Sequence, residues 1–139
     1  MTESSTKTIL LVEDYKDSRE MFSLLLEGHG YRILGAQNGK EAIDLAEAQT
    51  PDLVLTDFNL PDIDGTTLIK RLRKLGGMNH IPIIMVTAHP PGELSKLAMA
   101  AGCTTFLTKP ISFSILENTI ARLLQDSREF NGSVNEVSH

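Results

Sequence analysis

Apolar and polar positions follow two rhythms along the 139-residue chain. Short β-branched or apolar runs, as in strands buried on both faces, occur at Thr8 to Val12, Arg32 to Ala36, Leu53 to Thr56, Ile81 to Val86 and Thr104 to Leu107. Longer stretches with helical spacing lie between them. The first helix is expected to start near Asp17, with Asp17 and Glu20 as a capping box. It should turn Met21, Phe22, Leu24 and Leu25 inward and close at Gly28 and Gly30. The second begins at Asn38, has Glu41 three residues on, and is stopped by Thr50-Pro51. The third turns Leu68, Leu72 and Leu75 to one face. Lys70, Arg71, Arg73 and Lys74 suit the negative end of its dipole, and Gly76-Gly77 end it. The fourth opens with Pro90-Pro91, which a first helical turn tolerates, and buries Leu94, Leu97, Ala98 and Ala101. The last runs from about Ser112, a good N-cap, with Ile115, Leu116, Ile120 and Leu123 facing in.

Five β-then-α units place the chain in the α/β class, as a doubly wound parallel sheet covered on both faces. Right-handed crossovers leave few topologies, and the expected one is the (βα)5 flavodoxin-like order 2-1-3-4-5. Residues 1–125 are expected to form one domain. Residues 126–139 are polar without a periodic apolar pattern and read as a frayed tail, with no output domain.

Composition narrows the possibilities. Hydrophobic residues make up 41% of the chain, enough for a core without a disulfide scaffold. The net charge is −5 and the basic residues are dispersed, which argues against nucleic-acid binding. The single cysteine, Cys103, allows no internal disulfide and reads as a small buried apolar group. No apolar run approaches the roughly 18 residues of a membrane span, and Met1 to Lys7 lacks the apolar stretch of a signal peptide. A cytoplasmic location is expected. His29, His80, His89 and His139 lack metal-ligand spacing, and Met21, Met78, Met85 and Met99 are scattered.

In open α/β sheets, ligands bind beyond the carboxyl ends of the strands. The first strand ends in Glu13-Asp14, the third in Asp57, the fourth in Thr87-Ala88 and the fifth in Thr108-Lys109-Pro110. Three carboxylates, a hydroxyl and an ammonium thus converge on one edge. Crowded acids repel one another, and a hard cation such as magnesium resolves the conflict. Lys109 supplies a point charge for a phosphoryl oxygen, and Thr87 a hydrogen bond. Positioning together with charge neutralisation is what phosphoryl transfer needs. Asp57, at the end of a central strand, is the best nucleophile, while Glu13-Asp14 reads as a metal grip. Singly, each residue is bland: a helix-start acid pair, a turn aspartate, a lysine before proline. Their convergence outweighs that.

The ordered motifs Leu11-Val12-Glu13-Asp14, Leu55-Thr56-Asp57, Leu60-Pro61 with Asp64-Gly65, Val86-Thr87-Ala88, Ala101-Gly102 and Lys109-Pro110 resemble the receiver domain of two-component response regulators. The resemblance implies that Asp57 accepts a phosphoryl group. It implies that Asp14, Asp57 and the Asn59 carbonyl bind Mg2+, with Glu13 acting mainly through a water on the metal. It also implies that Lys109 pairs with the phosphate, that Lys109-Pro110 is cis, and that Thr87 and Phe106 form a switch pair. The implied partners are a sensor histidine kinase or histidine phosphotransfer protein and a downstream protein target, with neither nucleic acid nor membrane. The face of helices four and five lacks a ladder of paired charges, so a monomer is expected. Departures are small: Glu13 stands where many members have Asp, Cys103 where alanine is frequent, and His89-Pro90-Pro91-Gly92 is rich in proline.

Rival readings fare worse. An aspartyl-phosphate phosphatase would need an acid two residues after its nucleophile, and Asn59 stands there. A flavin or nucleotide binder would need a glycine-rich phosphate cradle, which the sequence lacks. A degenerate receiver kept as a scaffold would not need the intact acids. A receiver cut from a larger hybrid kinase or multidomain regulator remains the alternative.

Overall fold

The computed structural model describes residues 6–88 and 92–132, with side chains as far as Gln125. Its elements alternate as β1 (Thr8–Val12), α1 (Lys16–Gly28), β2 (Arg32–Ala36), α2 (Gly39–Ala48), β3 (Leu53–Asp57), α3 (Gly65–Arg73), β4 (Ile83–Thr87), α4 (Glu93–Ala101), β5 (Thr105–Thr108) and α5 (Phe113–Gly132). All strand pairs are parallel, and the sheet order is β2-β1-β3-β4-β5. This is the (βα)5 order expected from the alternation.

Successive side chains on a strand point to opposite faces, so each central strand feeds two cores. Leu10, Val12, Val54, Ile83 and Met85 pack against α2, α3 and α4, through Ala42, Ala46, Leu68, Ile69, Leu72 and Ala98. Ile9, Leu11, Leu53, Leu55, Ile84 and Val86 pack against α1 and α5, through Leu26, Leu116, Ile120 and Leu124. Burial on both faces explains why these strands read as continuous apolar runs. No described helix is long and apolar enough to cross a membrane.

Several helix expectations need correction. On α1, Met21, Leu24 and Leu25 are exposed, and the inward stripe is Phe22 with Leu26, four residues apart. The N-cap is Tyr15, without a side-chain cap, so Asp17 and Glu20 form no capping box. On α4, Ala98 is buried while Leu97 is exposed. That helix starts at Glu93, after Gly92 as N-cap; the expected opening at Pro90-Pro91, with His89, lies outside the described residues, as do His139 and most of the N-terminal stretch. On α5, Ile115 is exposed and Leu124 joins Leu116 and Ile120 in the core. That helix continues to Gly132, beyond the point where a frayed tail was expected.

Candidate functional site at the carboxyl edge of the sheet

The strand ladder extends one residue past β1, β3 and β5 and so fixes the site. Glu13 N donates to Ala36 O at 2.9 Å, Phe58 N to Val86 O at 2.8 Å and Lys109 N to Thr87 O at 2.8 Å. Asp57 closes β3 and is buried; Glu13 is half-buried and Asp14 exposed. Each of these three acids offers a carboxylate oxygen, all within 4.8 Å of one another. Lys109 Nζ lies 3.1 Å from Asp57 Oδ2. The expected convergence of Glu13, Asp14, Asp57 and Lys109 is therefore observed. The Lys109-Pro110 peptide is cis, as the resemblance implied.

The cluster is electrostatically uneasy. Burial raises the Glu13 pKa above the ordinary glutamate value, and the charges of Asp57 and Asp14 add to it. The Tyr15 N–H and Lys109 oppose the shift without cancelling it. An all-oxygen set of three carboxylates fits a hard divalent cation, which would relieve this repulsion.

Beside the cluster, a cleft of about 420 Å3 opens between α1 and α5. Glu13, Asp57 and Lys109 stand in it, and Phe22, Ile111 and Leu116 wall it. Thr87 closes β4 and is buried, with Thr108 beside it on β5. Phe106 aligns with Met85, so Phe106 and Thr87 lie on the same face of the sheet, towards α2–α4. Asn59 is exposed on the β3–α3 loop, bridged to Asp64. Gly65 N donates to Phe58 O at 2.7 Å across the same neck. A Cβ on Gly65 would stand 2.9 Å from Phe58 Cα, so this closure requires glycine.

One contributor was missed in the sequence. Arg19 on α1 donates through Nη1 to the carbonyls of Glu13, at 2.8 Å, and Asp14, at 3.4 Å, holding the acid loop from outside. An arginine one turn into the helix after an acid pair is a weak signal, since exposed helix arginines are common.

The response regulator receiver domain family matches residues 9–121. The chain belongs to this family. A similar relative is the polar-differentiation response regulator DivK of Brucella anthropi, 36% identical over 121 residues, with 87% of this chain and 98% of the relative covered. A CheY-like response regulator receiver domain protein of Methanospirillum hungatei superposes with a TM-score of 0.85 at 30% identity, covering 90% of this chain and 98% of that one. The receiver domain of a sensor histidine kinase from Pseudomonas aeruginosa, solved with a magnesium ion coordinated in its active site cleft, gives a TM-score of 0.79 at 29% identity. It covers 87% of this chain and 99% of that one. As a receiver, the protein takes a phosphoryl group on an aspartate in a two-component relay. It promotes its own phosphorylation and dephosphorylation and is not a conventional enzyme.

Proposed function

We propose that Asp57 is the phosphoacceptor, and that Asp14, Asp57 and the Asn59 carbonyl hold a magnesium ion beside Glu13. The observation that carries this reading is the three-acid cluster whose buried member lies 3.1 Å from the Lys109 ammonium. The coordinated magnesium of the Pseudomonas aeruginosa relative supports the choice of metal. When bound, the ion would neutralise charge on the phosphoryl oxygens and on the crowded acids.

The residues then have distinct tasks. A carboxylate oxygen of Asp57 forms a bond to phosphorus as the P–N bond to the donor histidine breaks. The imidazole leaves with the bonding pair and takes a proton from solvent. Lys109 pairs with one transferred oxygen, and the Thr87 hydroxyl donates to another. Because Thr87 and Phe106 share a face, a change at Thr87 has a direct path to Phe106 and α4.

The phosphodonor in this reading is a sensor histidine kinase or a histidine phosphotransfer protein in the cytoplasm. The cleft between α1 and α5 leads to Asp57, and both helices expose apolar side chains, Leu24 and Ile115. A downstream protein would read the α4–β5 surface. The test is transfer of labelled phosphate from a phosphohistidine protein. Wild type should take the label with magnesium, and Asp57→Asn should take none. Label retained by Asp57→Asn would contradict the assignment.

A further inference from the structure

The loop between β3 and α3 is clasped to the start of α2 by Asp62, and we infer that this clasp positions Asn59 and so sets the affinity for magnesium. The inference rests on the proposed ligand set of Asp14, Asp57 and Asn59.

The geometry starts with the free amides of a helix N-terminus, which no residue of the helix can satisfy. At α2, Asp62 Oδ1 accepts from Gly39 N at 2.8 Å and Oδ2 from Lys40 N at 2.9 Å. Glu41 N goes to Asn38 Oδ1 at 2.8 Å, and Ala42 N to Asn38 O at 3.1 Å. The Ala42 bond is the first of the helix itself, so of the free amides of Gly39, Lys40 and Glu41 one is held locally by Asn38 and two by a carboxylate from another loop. An anion at this end of the helix also meets the positive end of its dipole. Desolvation raises the Asp62 pKa, but the N–H groups of Gly39, Lys40 and Ile63 outweigh it and hold the carboxyl below the ordinary aspartate value.

Packing reinforces the clasp. A Cβ on Gly39 would lie 2.5 Å from Ile63 Cγ1 and 2.6 Å from Cδ1, so the loop tip occupies the space of the missing side chain. Asp62 Oδ1 also accepts from Ile63 N at 3.0 Å, which stiffens the tip. At the other end, the neck is closed by the Gly65 N to Phe58 O bond and the Asn59–Asp64 bridge. Asn59 therefore sits between two fixed points, a strand end and a clasped tip. Pro61, with its fixed φ, stiffens the short link from Asn59 to Asp62. A tip released from α2 would let the neck breathe.

Asp62 is on this account a positioning residue, and Asn38 provides the control. Both cap α2, but only Asp62 belongs to the loop that carries Asn59. Magnesium is titrated into the full chain and followed by amide NMR, for wild type, Asp62→Ala, Asp62→Asn, Asn38→Ala and Asp14→Ala, with thermal melts alongside. Asp62→Ala should weaken magnesium binding roughly tenfold, the scale typical of outer-shell partners. Asp62→Asn, which keeps one oxygen for Gly39 N, should lose less. Asn38→Ala should lower the melting temperature yet keep wild-type affinity. Phosphorylation of Asp62→Ala by acetyl phosphate should be slow at low magnesium and recover at saturation. Wild-type affinity in a folded Asp62→Ala, or equal weakening in Asn38→Ala, overturns the inference. Should Asp62→Ala not fold, the comparison of Asp62→Asn with Asn38→Ala decides. If wild type shows no magnesium response, or Asp14→Ala binds as wild type does, the proposed ligand set itself fails and takes the inference with it.

Discussion

Lys109 Nζ lies 3.1 Å from Asp57 Oδ2, and the two side chains differ sharply in exposure, 40% for the lysine and 8% for the aspartate. The carboxylate is fixed in the strand end, while the ammonium sits on a long stem that reaches it from solvent. Such a cation can follow charge as it moves onto a phosphoryl group. It also competes with any metal ion at the three acids, because like charges repel. Lys109→Met should therefore separate the two roles. Phosphorylation at saturating magnesium should slow roughly a hundredfold, as for loss of one preorganised donor to a developing anion. Magnesium affinity should rise. A time course of the phosphate adduct by mass, set beside an NMR titration, checks both. A fall in both would mean that the lysine holds the acid cluster in shape.

The crowding of the acids predicts a pH signature. Burial, aided by Asp57 and Asp14, raises the folded-state pKa of Glu13. A group raised in this way favours folding most below its unfolded value, about 4.3 for glutamate, and that contribution is lost as pH rises through the folded value. At neutral pH without metal, the Glu13 carboxylate is thus a burden. Glu13→Gln keeps an oxygen to accept from Tyr15 N, a bond of 2.9 Å in the structure. It should raise the melting temperature at neutral pH, and the gain should vanish in acid. A lower melting temperature at neutral pH would show that the carboxylate is well accommodated.

The central strands were legible because they are buried on both faces, which turns Leu53 to Leu55 or Ile83 to Val86 into dense apolar runs. The acids were legible because strand order brings strand ends together, so position in the chain becomes position in the site. The helix faces were less so. In α1, apolar residues stand at 21, 22, 24, 25 and 26, and several stripes fit that pattern. The sheet selects the narrow one through Phe22 and Leu26. Contacts between distant loops were invisible. Arg73 looks in sequence like a cation matched to the end of α3. In the fold it donates to Gly102 O through Nε at 3.1 Å and Nη2 at 2.7 Å, and through Nη1 to Met78 O at 2.6 Å and Ile81 O at 2.7 Å. Asp62 escaped notice for the same reason: its partners, Gly39 and Lys40, lie 23 and 22 residues back.

Transmission from the site predicts a dissociation between binding and response. Thr87 and Phe106 share a sheet face with α4 packed on it. A phosphoryl mimic at Asp57 offers acceptor oxygens to the Thr87 hydroxyl, and it can shift a conformational equilibrium only by its differential affinity for the two states. Thr87→Ala should still bind beryllofluoride with magnesium. Its amide NMR shifts at Phe106 and along Glu93 to Leu97 should be largely lost. Undiminished distant shifts in Thr87→Ala would route the coupling around Thr87.

Whether the buried aspartate between Glu13-Asp14 and Lys109 takes the phosphoryl group is decided by intact mass after incubation with acetyl phosphate and magnesium, for wild type and Asp57→Asn, with and without chelator. Wild type should carry a single phosphate adduct that is removed by hydroxylamine and does not form in chelator, and Asp57→Asn should carry none. An adduct of equal yield on Asp57→Asn, or one that forms equally well in chelator, would contradict Asp57 as the magnesium-dependent phosphoacceptor.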